Sequence, residues 1–391
     1  MPIINRIADF HADMTTWRRD LHAHPELGFE LPRTSAKVAE KLREFGVDEV
    51  VTGIAKTGVV GVIRGRNAQN GRAIGLRADM DALPILEETG APYASLNPGI
   101  MHACGHDGHT TMLLGAARYL AETRNFDGTV YVIFQPAEEG EGGGRVMVEE
   151  GLFERFPMSQ VFGLHNWPGV PAGTFMWRNG PIMAATGEIA ITVTGHGAHG
   201  AKPNEGIDPI LVAAHIVTGL QSIVARNMEP TEAGVVTIGT ISAGHADNVI
   251  PERAVMRGTA RWFNPAVGDV LEAGVKRIAT GIAAGFGAEA EVLFRRNYPA
   301  TVNDEEATMH TVRAAKTIAG EAKVIPMERP TMGAEDFSYM LNVKQGSYIM
   351  LGTGSAPNDP GLHHPLYDFN DETLPVGASY WATLAEQLLK A

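Results

Sequence analysis

Apolar residues recur at helical spacing near the start of the chain, where Ile7, Phe10, Met14, Trp17 and Leu21 fall on one face over residues 4–22. The pattern stops near His24-Pro25, and a second helix, about 33–45, follows with Val38, Leu42 and Phe45. The period then shortens. Short β-branched or apolar runs appear at 58–64, 73–78, 129–135 and 160–165, with helical patterns at 107–123 and 144–151 between the last three. Strands alternating with helices predict an α/β domain, a mixed and mostly parallel sheet covered by helices on both faces.

From about residue 186 the texture changes. A strand over 188–194 leads into a histidine- and glycine-rich segment, then a long helix of about 206–226. Strands at 235–241 and 254–263, a helix at 266–285 and a strand at 288–296 complete the order β-α-β-β-α-β. That order is the ferredoxin-like α+β arrangement. Residues 186–297 therefore read as an inserted domain, with 1–185 and 298–391 forming the domain it interrupts.

Composition bounds the function. At 391 residues the chain is long enough for two domains with cores of their own, and 44% hydrophobic with 20% charged residues is ordinary for a globular protein. A net charge of −13 argues against nucleic acid and anionic membrane as partners. It also repels an anionic substrate at long range, so local cations would have to hold one. The single cysteine excludes an internal disulfide and fits a reducing compartment. The N-terminus has an early charge and no apolar signal segment, and no uninterrupted apolar run reaches the roughly 18 residues of a membrane span. The expectation is a cytoplasmic, soluble protein.

The candidate chemistry gathers after the predicted strands, where an α/β sheet places its active site. Cys104 and His106 are two soft ligands at one-residue spacing, and in an extended segment they would project to one side. The plain alternative is a buried free cysteine beside a helix-capping histidine. His102 and His109, in the same segment, suit structural or supporting roles. Glu138 and Glu139 follow another strand and precede a glycine-rich run; one carboxylate can bind metal while the other acts as a general base. Glu-Glu pairs are more often solvated turns, and His165, ending an apolar strand, is by itself more often a satisfied core histidine than a ligand. His363 and His364 supply one further ligand between them. Asp79 and Asp81 could be ligands, partners of histidine, or strand-end caps.

Together these segments resemble the co-catalytic metallopeptidase family of carboxypeptidase G and aminoacylase, and within it the hippurate hydrolase and indole-acetyl-amino-acid hydrolase branch. The likeness runs from HAHPELGF (22–29) through RADMDALP (77–84), MHACGHDGHTTMLL (101–114), QPAEEG (135–140), GLHNWP (163–168), GHGAHGAKP (195–203) and GAEDFSYML (333–341) to LHHPLYDFN (362–370). The resemblance implies a zinc-peptidase-like catalytic domain, with the insert serving as lid and dimerisation domain. It implies that Cys104, His106, Glu139, His165 and His363 bind two divalent ions (zinc, manganese or cobalt), and that Glu138 is the general base. Cys104 takes the slot many relatives give to a bridging aspartate, Asp79 stands where they have a ligand histidine, and Asp81 matches the aspartate that supports the site. His199 matches a histidine that polarises the scissile carbonyl, often across a dimer, and Asn248 and Arg261 match residues that bind substrate carboxylate or carbonyl.

The expected reaction is hydrolysis of an N-acyl amino acid, hippurate-like or N-acetyl, to carboxylate and free amino acid, by a metal-bridged hydroxide in a homodimer or higher homo-oligomer. A dipeptidase or carboxypeptidase using the same site is the near alternative. An inactive metal-binding scaffold is the remote one, and an intact ligand set with Glu138 present speaks against it.

Overall fold

The structure, a computed structural model, describes residues 3–354 and 360–390. The chain opens with α1 (Asn5–Ala8), α2 (His11–Ala23) and α3 (Pro32–Glu44), followed by β1 (Glu49–Ile54), β2 (Gly58–Arg64) and β3 (Ala73–Asp79). Helix α4 (His106–Thr123), β4 (Thr129–Gln135), α5 (Gly143–Glu149), α6 (Leu152–Arg155), β5 (Gln160–Pro168), β6 (Phe175–Trp177) and β7 (Gly180–Met183) come next. Then follow β8 (Ala185–Thr194), β9 (Ala198–His199), α7 (Pro209–Ser222), β10 (Gly234–Ala243), β11 (Val249–Ile250), β12 (Arg253–Trp262), α8 (Pro265–Gly285) and β13 (Glu289–Arg296). The chain ends with β14 (Thr301–Asn303), α9 (Glu305–Ala319), β15 (Val324–Pro326), α10 (Ser338–Leu341), β16 (Gln345–Gly354) and α11 (Leu374–Leu388). Two compact units result, one of residues 1–182, 301–330 and 336–391, the other of residues 183–300 and 331–335.

In the first unit, eight of the described strands form a sheet ordered β1-β2-β4-β3-β5-β16-β6-β15. The pairs β3/β4, β3/β5, β5/β16 and β6/β15 are parallel, whereas β1/β2, β2/β4 and β6/β16 are antiparallel. The mixed, mostly parallel sheet predicted from the alternation is present. Its central strands are near-continuous apolar runs because helices bury both faces; every residue of β3 is buried. Helix α4 is buried along most of its length, polar residues at its start included: His106, Asp107, His109, Thr110 and Thr111 are enclosed with Met112, Leu113 and Leu114. Small residues let its neighbours approach: a Cβ on Gly108 would lie 2.3 Å from the Phe369 ring, and one on Gly377 of α11 would meet the Met112 sulfur at 2.0 Å.

One local expectation is corrected, and one strand was not anticipated. The single helix of residues 4–22 is interrupted at Asp9-Phe10, where the Phe10 N–H donates to Ile7 O at 3.0 Å, three residues back. One tightened turn keeps Ile7, Phe10 and Met14 on the buried face, so the apolar spacing survives the break. Strand β1 carries no predictive pattern because it lies at the sheet edge, with residues exposed or half-buried along most of its length.

The second unit is a four-stranded antiparallel sheet ordered β10-β12-β8-β13 with α7 and α8 on one face, the ferredoxin-like arrangement. Strand β8 alternates strictly, with Ile189, Ile191 and Val193 inward and Glu188, Ala190 and Thr192 outward. Residues Pro209–Asn227 form the one described helix long and apolar enough, by length and composition, to cross a membrane. His215, Gln221 and Arg226 interrupt its apolar run, and Val212, Ala213, Ile216 and Leu220 are buried in the core of this unit.

Candidate active site

Strand β3 lies between β4 and β5, parallel to both, so three carboxyl ends stand side by side. Asp79 ends β3, the loop bearing Glu138 and Glu139 follows β4, and His165 lies near the end of β5. Helix α4 begins at His106, directly after Gly105 (φ 88°). Only glycine suits this point, since a Cβ would also stand 2.7 Å from Asn166 Oδ1. Cys104 and His106 therefore meet across a left-handed turn, and not along an extended segment as their spacing suggested.

Cys104, His106 and His165 present ligand atoms within 4.8 Å of one another, and so do Cys104, Glu139 and His363, and His106, Glu138 and Glu139. Cys104 Sγ lies 3.5 Å from His165 Nε2, and His363 Nε2 lies 3.3 Å from Glu139 Oε1. The tautomers follow from the backbone. His165 Nδ1 donates to Asn166 O at 2.6 Å and His106 Nδ1 to Asp81 O at 2.9 Å, which leaves each Nε2 as the ring atom available to a proton or a cation. His106 Nε2 is buried and has no hydrogen-bond partner among the described residues. An unpartnered ring nitrogen beside a thiol and two carboxylates suits a positive charge, either a proton or a metal ion. Burial disfavours charge on His106, yet Asp79, Asp81 and Glu139 outweigh it and raise its pKa to about 10. Burial pushes the Cys104 thiol well up, and Glu139, Glu138 and Asp79 add to it. A thiolate here needs a positive charge close by.

A second layer holds these donors. Asp79 is fully buried and acts as a partner of histidine and arginine: it accepts from His109 Nδ1 and from Arg77 Nη1, both at 2.6 Å. Burial works against its charge, but His106, His109 and Arg77 hold its carboxyl well below the usual range. Although Asp79, His106 and His109 also cluster at ligand distance, both His109 nitrogens are engaged, the second by Asn166 at 2.6 Å. Asp81 Oδ2 accepts the Glu139 N–H at 2.9 Å, so this one residue braces both His106 and Glu139. Sequence reasoning missed Asn166, Tyr367 (which takes a hydrogen bond from Asn166 Nδ2 at 2.5 Å) and Asp336, bonded to Arg77 and Gln135. No short motif joins residues this far apart; an Asn next to the strand-end His165 was the one available signal. His102 is buried, with both ring nitrogens unpartnered among the described residues and its pKa pushed down by burial to about 4.

In the second unit, β9 pairs with β11 so that His199 faces Val249, and the Gly200 N–H donates to Asn248 O at 2.7 Å. His199 and Asn248 are thus neighbours and both are exposed. Arg261 lies on β12, half-buried, opposite Thr186 of β8.

A largely buried set of thiol, imidazole and carboxylate donors at the carboxyl ends of parallel strands is the donor chemistry of a metal site in an α/β enzyme. Residues 75–387 match peptidase family M20/M25/M40. The chain is 43% identical to a hippurate hydrolase of Campylobacter jejuni over the full length of both, and 39% identical to an N-acetylcysteine deacetylase of Bacillus subtilis, covering 97% of this chain and 98% of that one. Among solved structures, a Bacillus subtilis dinuclear metal binding peptidase of the M20 family superposes with a TM-score of 0.83 at 37% identity, covering 98% of this chain and 99% of that one. The chain belongs to peptidase family M20/M25/M40 and is an amide-bond hydrolase.

Proposed function

We propose that the protein hydrolyses the amide bond of N-acyl amino acids, hippurate-like or N-acetyl, to a carboxylate and a free amino acid. The observation that carries this is the three overlapping clusters Cys104/His106/His165, Cys104/Glu139/His363 and His106/Glu138/Glu139, with His106 Nε2 unpartnered among the described residues. The hippurate hydrolase and N-acetylcysteine deacetylase relatives support this substrate class.

Cys104, His106, Glu139, His165 and His363 would hold two divalent ions, of zinc, manganese or cobalt. Such ions supply Lewis acidity, which lowers the pKa of water and stabilises charge growing on a carbonyl oxygen. Glu138 takes the proton from the attacking water and passes it to the leaving nitrogen, which departs as a neutral amine. Asp81 keeps His106 and Glu139 in place. His199 polarises the scissile carbonyl, while Arg261, with Asn248 assisting, binds the free carboxylate of the amino-acid half. That local clamp offsets the long-range repulsion of a chain with net charge −13. Residues 186–297 act as lid and dimerisation domain of a homodimer, and the single unpaired cysteine suits the cytoplasm.

The test is Glu138→Gln. Metal content should stay at the wild-type level while turnover of hippurate and N-acetylmethionine falls by about a hundredfold or more. A variant that retains near wild-type turnover would end the general-base assignment. A panel adding dipeptides decides the substrate class: dipeptides cleaved faster than N-acyl amino acids would make the protein a dipeptidase.

A further inference from the structure

Arg261 is held in an unusual way. Its Nη1 group donates to Thr186 Oγ1 at 2.5 Å, to Ala260 O at 3.0 Å and to Thr259 Oγ1. Thr186 is its direct cross-strand partner on β8, and Thr259 precedes it by two residues on β12, so all three side chains share the sheet face opposite α7 and α8. The Thr259 hydroxyl donates to Gly187 O at 3.1 Å, which turns its lone pairs toward the guanidinium. One edge of Arg261 is therefore fixed to protein. The other edge, Nε and Nη2, has no acceptor among the described residues. Glu188, on the same face two residues along β8 from Thr186, is engaged by Arg295. A guanidinium with Nη1 tied and the Nε/Nη2 edge free is set up for a side-on, two-bond grip on a carboxylate.

We infer that Thr186 and Thr259 are positioning residues for substrate specificity: they lock the Arg261 guanidinium so that its Nε/Nη2 edge receives the carboxylate of the N-acyl amino acid. This rests on the role proposed for Arg261 above. Without the two hydroxyls the side chain would sample several rotamers, and the ordering cost would fall on each substrate that binds. Neither threonine touches the reacting bond, so the effect belongs in KM and not in kcat.

The experiment compares N-acetylmethionine with N-acetylmethioninamide, which lacks the free carboxylate. Thr186→Val and Thr259→Val are close in shape to the native residues and remove one acceptor each. Each is expected to raise KM for N-acetylmethionine about three- to tenfold, with kcat unchanged and no change on the amide. Thr186→Ser should restore the native KM by returning the hydroxyl, which separates lost positioning from misfolding. Wild-type KM values in both valine variants, or equal rises on both substrates, would overturn the inference. Arg261→Ala is read independently: selective loss on N-acetylmethionine sustains the clamp itself, whereas equal loss on both substrates refutes the role of Arg261 whatever the threonines do.

Discussion

The buried charge cluster behind α4 gives a pH dependence whose sign and size can be worked out. His22 is 1% exposed, with Nδ1 2.8 Å from Asp107 Oδ2 and Nε2 3.3 Å from Glu87 Oε1. Each ring nitrogen thus faces a carboxylate, an arrangement satisfied only by the doubly protonated imidazolium. Burial opposes that charge and Arg18 opposes it weakly, but Asp107 and Glu87 prevail and raise the pKa from 6.5 to about 9. Asp107, seen from the other side of the pair, is held well below the usual carboxylate range by His22, His102 and Arg18 against its burial. The folded pKa lies above the unfolded one. The stabilisation is therefore complete below about pH 6.5 and is lost as pH rises through about 9. A rise of that size corresponds to about 3 kcal/mol. The assay is urea unfolding of wild type and His22→Gln at about pH 6 and about pH 10, followed by tryptophan fluorescence. The probe suits the question because Trp17, Trp167, Trp177 and Trp381 all lie in the unit that holds His22. His22→Gln should cost about 3 kcal/mol more at the lower pH than at the higher. An equal cost at both would refute a charged His22 and the ion-pair account of this cluster.

Arg77→Leu should lower stability by about 3–5 kcal/mol in the same unfolding assay, because it leaves Asp79 and Asp336 buried without their shared cation. Gly108→Ala should destabilise by about 1–3 kcal/mol, since its Cβ would press the buried Phe369 ring. The contrasting Gly281→Ala, on α8 with nothing within 4 Å of a new Cβ, should stabilise by about 1 kcal/mol; thermal melts of both variants check the pair. After chelation, alkylation of Cys104 should block recovery of bound metal, and prior metal loading should protect the thiol. Full metal reloading of alkylated protein would remove Cys104 from the ligand set.

What was legible in the chain, and what was not, follows from how local each signal is. The runs that became β2, β3, β4 and β5 stood out because burial on both faces leaves no polar alternation to hide them. Strand β1, at the edge, had no such mark. The predicted helix of 206–226 proved to be α7, Pro209–Ser222, with a π turn at Ile223–Asn227. Asp208, whose carboxylate caps Ile210 N at 2.8 Å, and Pro209 in the first turn were readable start signals. Cys104 with His106 and Glu138 with Glu139 were visible as neighbours in sequence. The Arg77–Asp336 pair spans 259 residues, and no periodicity links its ends. The Arg261–Thr186 contact depends on strand register, which a pattern of apolar residues leaves open until the sheet is known.

The backbone around the ligands shows how so dispersed a set is brought to one place. Of the non-glycine residues with left-handed φ, Ala137 (57°) immediately precedes Glu138, and His363 (63°) is itself in the cluster. Each such conformation costs on the order of 1 kcal/mol and persists only where the surroundings impose it. Around Ala137 the constraint is local: the Gly143 N–H donates to Ala137 O at 2.9 Å and the Gly140 N–H to Glu138 O at 2.8 Å, closing the loop after β4 on itself. For His363 it is long-range, because its own N–H donates to Ala103 O at 2.8 Å. That bond ties the C-terminal segment to the residue before Cys104, so one peptide hydrogen bond brings together donors far apart in the chain. The donors are thus placed by backbone constraints, with metal left to balance the charge they bring. Cys104 and Glu138 each share a cluster with Glu139, and the carboxylates hold Cys104 as a thiol, so a thiolate there calls for a cation among these donors.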